Sequence, residues 1–125
     1  ERPIVAGLYL NRLKRGWPLQ ADPTVIYCIK EKKGQDYAVK RVLTADLEIN
    51  SPYNTYIHGG LPPTLIAMPD ISSIDGVLNA QEHNYLYMCA NVNKLGYHSF
   101  AKSLVQHNKN AVKYHNWMNK LRINR

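Results

Sequence analysis

Cysteine is scarce in this chain. Cys28 and Cys89 are the two among 125 residues, too few for a disulfide framework and without the close spacing of a zinc or thiol-redox motif. Two buried free thiols are the expectation, with a pairing of the two in an oxidising compartment as the alternative. Long apolar runs are missing too: the longest, Ile4 to Leu10, falls far short of the roughly twenty residues that a membrane-spanning helix needs. Acids number nine against sixteen lysines and arginines, a formal charge of +7. That excess favours anionic partners in general without choosing one, and its spread from Arg2 to Arg125 is mainly that of a solvated surface. Neither G-x-x-x-x-G-K-S/T nor G-x-G-x-x-G occurs, and Gly59-Gly60 runs into Leu-Pro-Pro, whose prolines remove the amide donors a phosphate cradle requires. No G-x-S-x-G elbow supports a serine triad. The five histidines contain no H-x-x-x-H or H-E-x-x-H pair, so no metal site is expected. No helix-turn-helix or RNP-type motif organises the nine tyrosines for nucleic acid.

What is present suits one α+β domain, a single compact unit with a small antiparallel sheet and several helices. The length is that of one domain, and 45% apolar residues can build one core. IVAGLYLNRLK predicts a mostly buried helix over residues 3–15, with Pro3 in its first turn and Gly16 as its stop. Asp22-Pro23 reads as a helix N-cap followed by proline at the first helical position, opening a helix over 23–30. Residues 31–41 are charged, contain Gly34 and read as an exposed loop. Thr44 is a plausible cap for a short helical turn through Glu48. Ser72-Ser73-Ile74-Asp75 resembles a capping box that opens a helix over 74–80. YLYMCA and GYHSFA flank a polar turn and predict a hairpin over 85–101. A helix over 102–121 follows, with Leu104, Val105, Ala111, Val112 and Met118 along one stripe, before an end expected to fray from Leu121 to Arg125. Glu1-Arg2-Pro3 opens directly on an apolar segment without Met, which predicts a fragment of something longer.

Chemistry is hardest to place. Cleaving a glycosidic bond takes a carboxylic acid to protonate the leaving oxygen, often with a second carboxylate. Of the nine acids only Asp22 sits between apolar segments, and helix capping is its simpler account. The loop YNTYIHGGLPPTLIAMPD carries Tyr53, Thr55, Tyr56 and Thr64, with Ser51 just before it, and a loop so long usually has a function. Its tyrosines could stack on sugar rings.

Taken in order, ERPIVAGLYLNRL, GWPLQADPTVIY, SPYNTYIHGGLPPTLIAMP, YLYMCANVNKLGYHSF and QHN resemble the C-terminal catalytic part of the endolytic murein transglycosylases, the YceG-like family. The resemblance spans nearly the whole chain, residues 1–125, read as such a domain truncated at its N-terminus. Members have also carried the label aminodeoxychorismate lyase, which implies pyridoxal phosphate, yet no phosphate cup is recognisable here and no cofactor is expected. The resemblance implies bacterial inner-membrane proteins whose catalytic part faces the periplasm or cell wall. These cut nascent peptidoglycan between N-acetylmuramic acid and N-acetylglucosamine and leave 1,6-anhydromuramoyl ends. One glutamate does the acid and base work. In the family it lies in an E-K-E-T-like motif upstream of the position of Glu1, so no catalytic residue is expected in this chain, and the fragment alone is expected to be inactive. Matching motif positions makes Gln20, Asp22, Thr24, Tyr53, Asn54, Thr55 and Tyr56 candidates for lining the glycan cleft. Asn54 could instead hold a turn. The partners implied are peptidoglycan strands and cell-wall synthesis proteins, not nucleic acid, with the membrane reached only through an upstream helix. The alternative is a non-catalytic glycan-binding module.

Overall fold

The structure, a computed structural model, describes residues 1–123. Among these residues four α-helices, one 3-10 turn and one two-stranded antiparallel sheet form the α+β arrangement. The residues cluster into two compact units: Arg12–Ile71, and Glu1–Asn11 together with the chain from Ser72 onward. Helix α1 (Arg2–Lys14) contains the boundary.

In the unit Arg12–Ile71, the end of α1 is closed as its glycine predicts. Gly16, at φ 70°, donates its amide to the Leu13 carbonyl while Trp17 donates to the Arg12 carbonyl, the paired bonds of a Schellman stop. The buried Arg12 guanidinium donates to the Pro18 carbonyl at 2.8 Å and lies 5.6 Å from the Trp17 ring centre. A cation there complements the partial negative charge of the helix end.

Helix α2 (Asp22–Lys33) departs from expectation at both ends. Ala21 occupies the N-cap position, in extended backbone and with no side-chain cap, so Asp22 is not the cap but a first-turn helical residue. A carboxylate in that turn still benefits from the helix dipole. At the other end Glu31, Lys32 and Lys33 continue the helix instead of entering the loop, because their long unbranched side chains are good helix formers. Gly34, at φ 105°, then stops it by bonding the Lys30 carbonyl. Val25, Cys28 and Ile29 form the buried face.

The 3-10 turn Thr44–Glu48 lies where a short turn was expected and packs against α2, but Thr44 is not its cap. The Asp46 carboxylate reaches back and accepts the Leu43 amide at 2.8 Å.

In the second unit α1 carries the buried Leu8 at its centre. A segment without regular structure is strapped along this helix. Gln81 donates its amide to the Pro3 carbonyl, and Asn11 Nδ2 donates to the carbonyls of His83 (2.8 Å) and Tyr85 (3.0 Å). The Tyr85 amide donates to His83 Nδ1, so the His83 proton sits on Nε2 and is donated to the Ile4 carbonyl at 2.8 Å. Gly7 permits this approach, since a Cβ there would stand 2.3 Å from the Gln81 carbonyl oxygen.

Strands β1 (Tyr87–Ala90) and β2 (His98–Ala101) form the expected hairpin, pairing Tyr87 with Ala101 and Ala90 with His98. Asn91 Oδ1 accepts the amides of Asn93 and Lys94 and shapes the turn. Both cysteines are free, Cys28 buried and Cys89 half-buried, and burial pushes the Cys89 thiol pKa up. Helix α3 (Ile71–Leu78) starts three residues earlier than expected, which puts Ser72 and Ser73 inside it and leaves no capping box. Its Gly76 is buried close to Arg2.

Helix α4 (Leu104–Ile123) packs on both strands. The Ser103 hydroxyl accepts the Gln106 amide at its start. The expected apolar stripe is met only in part: Ala111 and Met118 lie on the less exposed face, with His107, Asn110, Tyr114 and Trp117, while Leu104, Val105 and Val112 are exposed. Aromatic area replaces aliphatic area on that face, with His107 stacked on Tyr87 at 5.1 Å. The helix continues through Leu121 to Ile123, and the remaining expectation of fraying, at Asn124 and Arg125, lies outside the described residues.

Candidate functional site

The seven candidate residues fall in one unit, and the structure brings their two blocks together. Thr24 on α2 and Thr55 in the following loop meet hydroxyl to hydroxyl at 2.8 Å. Thr24 Oγ1 donates to the Ala21 carbonyl at 2.6 Å, so in their mutual bond Thr55 is the donor. Thr55 Oγ1 in turn accepts the Ala21 amide at 2.9 Å, and its carbonyl accepts the Gln20 amide at 3.2 Å. Thr24 and Thr55 are both buried, and this latch holds the entry to α2 against the loop.

Asn54 braces the loop from inside. Its fully buried Nδ2 donates to the carbonyls of Leu47 (3.0 Å) and Ile49 (2.9 Å), and its Oδ1 accepts the Tyr56 amide at 2.9 Å. Its own carbonyl accepts the amides of Ile57 and His58, closing a turn. One amide side chain thus ties the 3-10 turn to the Tyr53–Tyr56 segment.

The other four candidates face outward. Asp22 and Gln20 are exposed, and Tyr53 and Tyr56 half-buried. The Tyr56 hydroxyl donates to Asp22 Oδ1 at 2.5 Å across the two blocks. Tyr53 donates or accepts a 2.7 Å bond with the Thr64 hydroxyl, and its ring lies 4.7 Å from that of Tyr27. Partial desolvation, then the Glu31 carboxylate and the Tyr53 phenol, push the Tyr27 phenol pKa above its ordinary value. Tyr27 and Thr64 complete this surface; both lie inside the same two sequence blocks but are not among the seven candidates. For Tyr27 the available signal was its place one helical turn beyond Thr24.

Gln20 is the one non-glycine residue at positive φ, 49°, among those described. The left-handed bend turns the amides of Gln20 and Ala21 together onto Thr55, at a conformational cost of roughly 1–2 kcal/mol. Gln20→Gly should therefore leave stability within about 1 kcal/mol, relief of the bend offsetting the extra freedom of the unfolded glycine chain. Gln20→Val should lose about 2 kcal/mol. Equal urea midpoints for the two variants would contradict a strained bend.

An outward carboxylate and hydroxyls on a stiffly braced rim can exchange hydrogen bonds with a polyhydroxylated molecule, and the tyrosine pair adds aromatic faces. Among the described residues no group of three or more His, Cys, Asp and Glu side chains comes together as a metal site. The class is thus an α+β domain with a polar, aromatic-edged rim on one unit.

The chain belongs to the YceG-like family, whose pattern matches residues 1–113. It is 44% identical over 114 residues to the endolytic murein transglycosylase of Bacillus subtilis (strain 168), a match that covers 91% of this chain and 29% of that protein. The endolytic murein transglycosylase of Streptococcus pneumoniae (strain D39) is 31% identical over 116 residues, covering 93% of this chain and 21% of that protein. The chain therefore spans less than a third of the length of these relatives. A crystal structure of a yceG-like protein from Listeria monocytogenes superposes with a TM-score of 0.72 at 36% identity, over 86% of this chain and 32% of that one.

Proposed function

We propose that this chain is the C-terminal part of the catalytic domain of an endolytic peptidoglycan lytic transglycosylase, held at the bacterial inner membrane with its catalytic part facing the periplasm or wall. The observation that carries the reading is the joining of the two blocks: the Thr24–Thr55 latch places Asp22 and Tyr56 on one outward rim, in a chain whose relatives are named endolytic murein transglycosylases. The substrate is the glycan strand of peptidoglycan, with cell-wall synthesis proteins as further partners.

A glutamate upstream of Glu1 supplies the general acid. It protonates the oxygen of the bond between N-acetylmuramic acid and N-acetylglucosamine, and that bond breaks. As a carboxylate it then takes the proton of the muramoyl C6 hydroxyl, whose oxygen closes on C1 to form the 1,6-anhydro ring. No second carboxylate is required as nucleophile. Within this chain Asp22 and Tyr56 orient sugar hydroxyls, Tyr53 and Tyr27 offer ring faces, and Gln20 offers an amide. Thr24, Asn54 and Thr55 hold these groups in place from the interior.

The test compares the 125-residue chain with a version extended upstream, each incubated with uncrosslinked peptidoglycan and assayed by mass spectrometry for anhydromuramoyl ends. Products are expected only from the extended protein. Within it, Asp22→Asn and Tyr56→Phe should each lower kcat/KM by roughly tenfold, the loss of one hydrogen bond to or beside substrate. Turnover by the short chain would place the acid within residues 1–125. Binding without turnover by the extended protein would favour the glycan-binding module.

A further inference from the structure

Apart from the Asp22–Tyr56 rim, the unit Arg12–Ile71 contains a groove of about 650 Å³, lined by the last turns of α2, the irregular segment after it and the 3-10 turn. Its walls are of two kinds. Ile29, Val39, Leu43 and Ile49 supply apolar surface, while Lys32, Lys33, Lys40 and Arg41 supply four cations. The single acid in the lining, Asp46, already accepts the Leu43 amide. Lys33 stands 5.4 Å from the centre of the Tyr37 ring, which also lines the groove.

Part of this charge has a local explanation. Lys32 and Lys33 lie in the last turn of α2, where cations offset the partial negative charge of the helix end. Lys40 and Arg41 belong to no helix, so that account does not reach them. Four like charges around one concavity repel each other, and an anion in it relieves the repulsion. A free phosphate would have no use for the apolar half of the lining, of which Leu43 is 52% and Tyr37 45% exposed. An anion attached to an apolar body uses both.

We propose that this groove docks the protein on an anionic phospholipid surface. The headgroup phosphates pair with Lys32, Lys33, Lys40 and Arg41, and Leu43 and Tyr37 enter the glycerol region below them. Basic residues near such a surface strengthen binding individually, and apolar insertion adds to the electrostatic attraction. The inference is independent of the glycan rim.

Sedimentation of the full chain with large vesicles tests it. Partition is expected with phosphatidylcholine vesicles that contain roughly a third phosphatidylglycerol, and not with pure phosphatidylcholine. Lys40→Glu combined with Arg41→Glu should weaken partition on the order of tenfold or more. Lys109→Glu combined with Lys113→Glu, an equal change of charge on exposed positions of α4, should have a much smaller effect. Leu43→Gln should weaken partition severalfold with no change of charge, and thermal unfolding of each variant checks its fold. Several results would overturn the proposal: no partition onto either vesicle, equal partition onto both, or equal losses from the two charge reversals. So would glycerol phosphate or duplex DNA that binds with the same dependence on Lys40 and Arg41 as the vesicles do. None of these outcomes alters the expected transglycosylase products, so the two readings fail separately.

Discussion

Asn54→Ala should cost about 3 kcal/mol of stability, because it strands the Leu47 and Ile49 carbonyls and the Tyr56 amide at once. Each buried polar group left without a partner costs roughly 1–3 kcal/mol, and three neighbours that relax together do not add in full. Asn54→Asp separates the two halves of the bracket. Its carboxylate can still accept the Tyr56 amide, but it faces two carbonyl oxygens with no donor to offer. It should therefore be at least as unstable as the alanine variant at neutral pH. Urea unfolding measures both, and a loss below about 1 kcal/mol for Asn54→Ala would show that water readily replaces the amide. In an extended, active protein the same substitution should lower kcat with the loop, although Asn54 is too deeply buried to touch a glycan in this arrangement.

A single added methyl at Gly7 should be as damaging in the other unit. Its Cβ would stand 2.3 Å from the Gln81 carbonyl oxygen and 2.8 Å from His83 Nε2, both inside van der Waals contact. Backbone must therefore move, and Gly7→Ala is expected to destabilise by about 3 kcal/mol despite alanine's better helix propensity, since overpacking outweighs it. The cause can be isolated. Truncating the imidazole with His83→Ala removes one clash but leaves the Gln81 carbonyl, so Gly7→Ala in that background should remain clearly destabilising. If the double variant were as stable as His83→Ala alone, the histidine and not the main chain would be the obstacle.

Much of the architecture could be read from local chemistry. Pro3 and Gly16 delimit α1, the alternating aromatic and β-prone segments over 85–101 predict the hairpin, and Ser103 caps α4 just past the expected start. These features depend on neighbours within one or two turns. The errors also have a common origin. Asp22, Thr44 and Ser72 all looked like caps because Asp, Ser and Thr favour that position, yet each lies within its helical element. At Asp22 a tertiary partner decides, since Tyr56 takes its carboxylate across the fold; at the 3-10 turn a competing local group does, since Asp46 reaches back to the Leu43 amide over the start of its own turn. The face of α4 was legible only in part, for a related reason. Apolar periodicity selected Leu104, Val105, Ala111, Val112 and Met118, of which Ala111 and Met118 lie on the less exposed face, whereas Leu104, Val105 and Val112 are exposed and the strands offer Tyr87 as a stacking surface for His107.

For the candidate site, the two sequence blocks were legible as blocks, and so was the suitability of amides, hydroxyls and tyrosines for a sugar. Their division of labour was not. Residue type does not separate Thr55, sealed into a latch, from Tyr56, turned outward beside it, because alternation within a loop follows no fixed period. By itself the sequence determined the α+β class, the family and the near-neighbour turns, all of which rest on short-range propensity or on motif identity. Tertiary structure alone decided which hydroxyls meet across a separation of 31 residues, which polar groups are spent in the interior and which remain on the rim. Those outcomes depend on the balance between burying a polar atom and pairing it, a balance settled only when distant segments pack.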